Sequence, residues 1–216
     1  MRTHMMHEAH GRTRPVAIAL IALAILASLV AYPLIAITSP VPPSDFWGSV
    51  GSAYDEVEHF TSVAGMAHAS DAVVLGTIEN IEKGRVFGDE GDSVTYAAAT
   101  VRISRLLSGS LPEEYSQRLI LEIMLPMDTP LEVVKGLLPE NRSVFFLRSK
   151  AVDAARYGYT PQVQADEHPY YRLVVQRGVI SEVQGLATAP GWTDSADFMS
   201  DIEGRPFEEI VSELGH

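Results

Sequence analysis

Ala72-Val73-Val74-Leu75-Gly76-Thr77-Ile78-Glu79-Asn80-Ile81 is the stretch on which the fold turns. It is rich in β-branched residues, so it reads as a strand. Its apolar set changes phase around Gly76, from Val73 and Leu75 to Ile78. A glycine inside a strand marks a bulge or a sharp bend, the device that curls a sheet into a small barrel.

The following residues extend this reading. Lys83 to Asp92 is turn-rich and reads as a hairpin tip. Its Asp89-Glu90-Gly91-Asp92 lacks the spaced acids and distal glutamate of a calcium loop, so a solvated tip is expected. Ser93 to Leu107 alternates cleanly, with Ala97, Ala99, Val101 and Ile103 on one face and Thr100, Arg102 and Ser104 on the other. That is the pattern of a half-buried antiparallel strand. Ser108-Gly109-Ser110 ends it. Arg118 to Leu125 forms the third strand, with Leu119, Leu121, Ile123 and Leu125 on one face. Val133 to Leu138 reads as a helical turn. The fourth strand is Ser143 to Ser149, the fifth Tyr170 to Gln176, and Arg177-Gly178 turns into Val179 to Val183. Asn141-Arg142-Ser143 matches a glycosylation acceptor.

Before the strands, Tyr54, Val57, Phe60, Ala64 and Ala67 recur at helical spacing, so Ala53 to Ala69 is expected to be a helix. Residues 39–52, with Pro40, Pro42, Pro43, Gly48 and Gly51, read as an extended stalk. Residues 15–38 hold no charge. Their apolar core, Val16 to Ile37, has 22 residues. At 1.5 Å per residue such a helix covers about 33 Å, enough for a hydrocarbon core of about 30 Å. A cleaved secretory signal has a shorter apolar region, of about 7–15 residues, so an uncleaved signal anchor is the better reading. Arg2, Arg12 and Arg14 precede the run, whereas Asp45, Asp55, Glu56 and Glu58 are the first charges after it. Positive flanks stay cytoplasmic, so residues 1–14 form a cytoplasmic stub and residues 53–216 an extracytoplasmic domain. His4, His7 and His10 in the stub have a spacing that could meet a metal, but a plain tail is the better reading.

Without Arg2, Arg12, Arg14 and Glu8, the 16 basic and 28 acidic residues become 13 and 27, a formal charge of −14 for the exported part. Such a surface disfavours nucleic acid, which needs basic patches. The chain has no cysteine, which removes disulfides and thiolate metal sites. No cofactor is expected. The partners expected are the membrane, through the N-terminal helix, and another envelope protein.

Phosphate loops, nucleophile elbows and zinc-protease helices are missing from the sequence. The densest mix of polar and aromatic side chains is the connection from Lys150 to Pro169. Asp153, Arg156, Tyr157, Tyr159, Asp166 and His168 are therefore the candidate surface site. At the C-terminus, Phe207, Ile210, Val211 and Leu214 follow Pro206 at i, i+3, i+4 and i+7, an amphipathic helix expected to pack on the sheet.

Four segments in order carry a resemblance: Ser70 to Ile78, Val101 to Gly109, Leu138 to Leu147 and Tyr170 to Val174. Together they resemble the small barrels of bacterial membrane-anchored and exported proteins. They are also distantly similar to the oligonucleotide/oligosaccharide-binding (OB) barrel of netrin-like and metalloproteinase-inhibitor domains. The resemblance covers about residues 70 to 184. It implies a mostly β fold with flanking helices, a small five-stranded OB-like barrel behind one transmembrane helix. Those inhibitors act through an N-terminal cysteine and disulfides, so none of their functional residues transfers to this chain. Three functions remain open: a non-catalytic binding or interaction module, an envelope enzyme, and an assembly protein docking through its C-terminal helix.

Overall fold

The computed structural model of the chain describes residues 43–50, 60–89, 93–126, 129–175, 178–189 and 197–215. All belong to the compact unit Pro40–His216. The stub and the apolar run at 15–38 lie outside the described residues, as do the tip residues 90–92. Among the described residues, no helix is long and apolar enough to cross a membrane.

The fold is mostly β sheet with flanking helices. Strand β1 (Ala72–Phe87) forms a long antiparallel hairpin with β2 (Val94–Gly109), and β2 pairs with β3 (Arg118–Met124). Next come β4 (Ser143–Ser149), β5 (Tyr170–Leu173), β6 (Val179–Val183) and β7 (Leu186–Thr188). The hydrogen-bonded order is β1-β2-β3-β5-β4-β6-β7, and β4 also pairs with β1. Five strands thus close a ring, with β3 and β5 joined in parallel through Ile120↔Tyr170 and Leu121↔Tyr171. Strands β6 and β7 extend the sheet beyond β4.

Gly76 does what its position in the sequence predicts. The β1–β2 register shifts between Leu75 and Gly76, and a Cβ there would lie 2.5 Å from the carbonyl oxygen of Arg102. The apolar phase change has a different cause from a switch of faces at the glycine. Residues 72–75 are buried on both faces. Ala72 and Val74 point into the ring, and Val73 and Leu75 into a second core outside it. The inward set continues through Ile78, and the register irregularity between Ile78 and Asn80 brings Ile81 inward in turn.

The ring core is built on the inward residues of β2 and β3, Ala97, Ala99, Val101, Leu119, Leu121 and Ile123. It is closed by a helix in the stretch read as stalk. Helix α1 (Pro43–Val50) buries Phe46 and Trp47 there, with Trp47 edge-on to Phe145. Apolar burial at Phe46, Trp47 and Val50 outweighs the turn preference of the neighbouring proline and glycine. The second core lies under α2 (Val63–Ala69), shorter than the helix expected there, whose residues 53–59 lie outside the described set. Helix α3 (Leu131–Gly136) adds Val134 to the ring core. Residues 150–169 form two helices rather than a loop, α4 (Lys150–Arg156) and α5 (Pro161–Glu167). A short α6 (Asp197–Ser200) and α7 (Phe207–Leu214) finish the chain. The apolar face of α7 is spent on the second core, where Phe207, Ile210, Val211 and Leu214 are all buried. Asn141 of the acceptor motif donates its side-chain N–H to the carbonyl of Glu182 at 2.7 Å, so that nitrogen is engaged within the fold.

Candidate functional site

Alternation along β3 turns Leu121 and Ile123 into the ring core and leaves Glu122 on the outer face. That face is covered, and the Glu122 side chain has no exposed surface. An isolated buried carboxylate would be strongly destabilising, so the fold supplies two cations. Arg85, near the end of β1, donates from Nε to Glu122 Oε1 at 2.7 Å and from Nη2 to Oε2 at 2.5 Å. Lys150 donates to the same Oε2 at 2.5 Å. Lys150 reaches it because α4 starts as β4 ends, with the Ser149 hydroxyl capping the helix at the Val152 N–H.

A second carboxylate completes the cluster. The other edge of Arg85 donates to Glu167, from Nη1 at 2.9 Å and from Nη2 at 2.8 Å, and the Lys150 ammonium lies 3.6 Å from Glu167. Burial opposes ionisation of Glu167. The hydrogen bond from Arg85 and the charges of Lys150 and Arg85 outweigh that, holding the carboxyl below its ordinary 4.5. The hydrogen bond to Glu122, outweighing burial, raises the Arg85 value further. Aromatic rings stack on both cations. The Arg85 guanidinium lies 3.9 Å from the Tyr170 ring centre and 4.8 Å from that of Phe87. The Lys150 ammonium lies 4.9 Å from the ring of Tyr96.

Above this cluster is a cleft of about 480 Å³. Its floor holds Lys150, Glu167, Asp153 and Arg172, and its walls are aromatic and aliphatic: Phe87, Tyr96, Tyr157, Tyr159 and Val163. A smaller pocket of about 200 Å³ shares Tyr96, Lys150 and Arg172 and reaches Val50 of α1. Several of the apolar wall residues face solvent, Tyr157 at 68% and Tyr159 at 58% exposure.

Of the six residues expected to form a site, three line the cleft and three, Arg156, Asp166 and His168, do not. Asp153, Tyr157 and Tyr159 line the cleft. Asp153 is buried, accepts from Arg172 Nε at 2.7 Å and is joined by Arg156 at 3.3 Å. Asp166 instead accepts from Gln162 within α5 at 2.9 Å, and His168, at the end of α5, meets the Tyr115 hydroxyl at 3.0 Å through Nδ1. Neither is among the cleft-lining residues. Behind Tyr115, burial pushes the Tyr171 hydroxyl up to about 12.

Arg85, Glu122, Lys150 and Arg172 stand outside the six residues expected from the sequence. Glu122 carries the one usable signal, a lone charge within the otherwise apolar run Leu119 to Leu125. Its partners lie 37 and 28 residues away in the chain and meet it only through the topology of the ring. Among the described residues, no group of three or more acidic or histidine side chains is placed to hold a metal ion. Compared with family models, with characterised proteins and with solved structures, the chain matches none.

Proposed function

We propose that this chain is a membrane-anchored, extracytoplasmic binding module, non-catalytic, whose binding site is the cleft between α4, α5, Phe87 of β1, Tyr96 of β2 and Arg172 of β5. The observation that carries the reading is the aromatic cleft over a cluster of ionic groups that are already satisfied by one another. Such a floor fixes orientation and polarity, while the exposed rings of Tyr157 and Tyr159 supply contact area with little rotamer entropy to lose.

The strand order supports an OB-like barrel for the ring. Binding faces of that fold use strands 2 and 3 and the loops between strands 1 and 2 and between strands 4 and 5. In this chain Glu122 lies on β3, Phe87 and Tyr96 flank the β1–β2 tip, and α4 and α5 form the β4–β5 connection. The fold analogy supports the place of the site and leaves its chemistry to the residues. The apolar run at 15–38 and its flanking charges support the anchor. The buried face of α7 weighs against assembly through that helix.

Ligand-observed NMR on the full-length protein in detergent micelles tests the site, with N-acetyl-phenylalanine, N-acetyl-leucine and cellobiose as probes. Saturation transfer to at least one probe is expected, and it should be lost in the Tyr157→Ala, Tyr159→Ala double variant. Equal transfer in the variant, or none in the wild type, overturns the site. Protease added to intact cells should degrade the domain, and full protection would reverse the orientation.

A further inference from the structure

We propose that Glu167 is an internal stand-in for a ligand carboxylate: the cleft takes a molecule bearing a carboxylate beside an apolar body, and that carboxylate replaces Glu167 on Arg85 and Lys150 as α5 lifts. This rests on the cleft being the binding site.

The two carboxylates on Arg85 are held in different ways. Glu122 belongs to a central strand and is sealed in. Glu167 ends a helix that buries none of its own residues, so little apolar surface is exposed when it leaves. That end of α5 is held by the pairing of Glu167 with Arg85 and Lys150, by the contact of His168 with Tyr115, and by the chain itself, which enters β5 at Tyr170, so the helix lifts by pivoting on His168 and Pro169.

Charge identifies the replacement. With Glu167 withdrawn, Arg85, Lys150, Arg156 and Arg172 are left, among the described residues, with Glu122 and Asp153 as their ion-pair partners. Four cations then stand against two carboxylates, in a chain whose formal net charge is −12. The vacated edge of Arg85 offers two parallel N–H donors, the arrangement that takes a carboxylate side-on. Exchanging one carboxylate for another leaves the pairing of the cations almost unchanged. The gain comes from the apolar body, which packs among Phe87, Tyr96, Tyr157, Tyr159 and Val163 in a space of about 480 Å³. The opposing term is the opening of α5, which lowers the apparent affinity by the fraction of molecules that are open.

The test uses the full-length protein in detergent micelles, with N-acetyl-phenylalanine and its neutral carboxamide titrated by calorimetry against wild type and Glu167→Gln. The acid is expected to bind Glu167→Gln about tenfold or more tightly than wild type, the factor set by an open fraction of about a tenth or below. The carboxamide should gain nothing. In wild type, the acid should speed hydrogen exchange in α5 while β1 to β3 stay protected. Equal affinity of the acid for wild type and Glu167→Gln overturns the proposal. If acid and carboxamide bind alike, and the Tyr157→Ala, Tyr159→Ala variant loses both, the cleft stands and the carboxylate exchange falls. If neither probe binds either protein, both fall together. A tetrapeptide ending in phenylalanine distinguishes two sources of the same group. Tighter binding than the free acid identifies a peptide C-terminus, and weaker binding a small organic acid, each with the carboxylate exchange intact.

Discussion

Helices α5 and α7 are of nearly equal length, seven and eight residues, yet they are held by different means. Helix α7 buries all four residues of its apolar face in the second core. Helix α5 buries none; it lies against α4, and its end is held by Glu167 on two cations, by His168 on Tyr115 and by the chain running into β5. Apolar burial is non-directional and is regained only by refolding against the same surface. An ionic latch can be released by any competitor of the same charge. The first arrangement makes scaffold, and the second makes an element able to move without the ring opening.

Phe207→Ala should break the scaffold side most severely. It removes a fully buried ring from α7 and leaves a cavity, a loss of about 3–5 kcal/mol, read as a lowered urea midpoint. Glu122→Ala comes next. Arg85 and Lys150 then face Glu167 alone, and breaking a buried pair in this way costs about 3 kcal/mol. Glu167→Gln is smallest in global stability, about 1 kcal/mol or less, but it should be the largest locally, with faster exchange confined to α5. The pH dependence sharpens the same contrast. The Glu167 carboxyl titrates below its ordinary 4.5 in the folded protein, so the latch is complete above that value and is lost as pH falls through the lower folded value. Protection in α5, measured against the intrinsic exchange rate at each pH, should therefore fall on acidification before protection in α7 does, and Glu167→Gln should remove that step.

The two helices also show why one part of the molecule is legible in its sequence and another is not. Phe207, Ile210, Val211 and Leu214 announce α7 because burial imposes a period. The same holds for β4 and β6, whose bounds, Ser143–Ser149 and Val179–Val183, follow from their apolar pattern. Helices α4 and α5 bury only Asp153 and Ala154 between them, so no period is imposed and the segment reads as a loop. The aromatic rim, Tyr157 and Tyr159, is visible as composition. The floor is not, because Glu122 meets Arg85 from 37 residues away, and Arg85 meets Glu167 from 82. Helix α1 is a different case. Phe46, Trp47 and Val50 have helical spacing, but the proline and glycine around them favour an extended reading.

That helix also determines where the domain can be severed from the residues before it. Phe46 and Trp47 are part of the ring core, at 0% and 3% exposure. A fragment trimmed back to Ser52 would carry a hole the size of two aromatic side chains, each a loss of about 3–5 kcal/mol. Shedding by a protease therefore yields an intact domain only if the cut falls upstream of Pro43. A pull on the preceding chain would bear first on Phe46 and Trp47, so tension would be felt at the centre of the domain rather than at its surface.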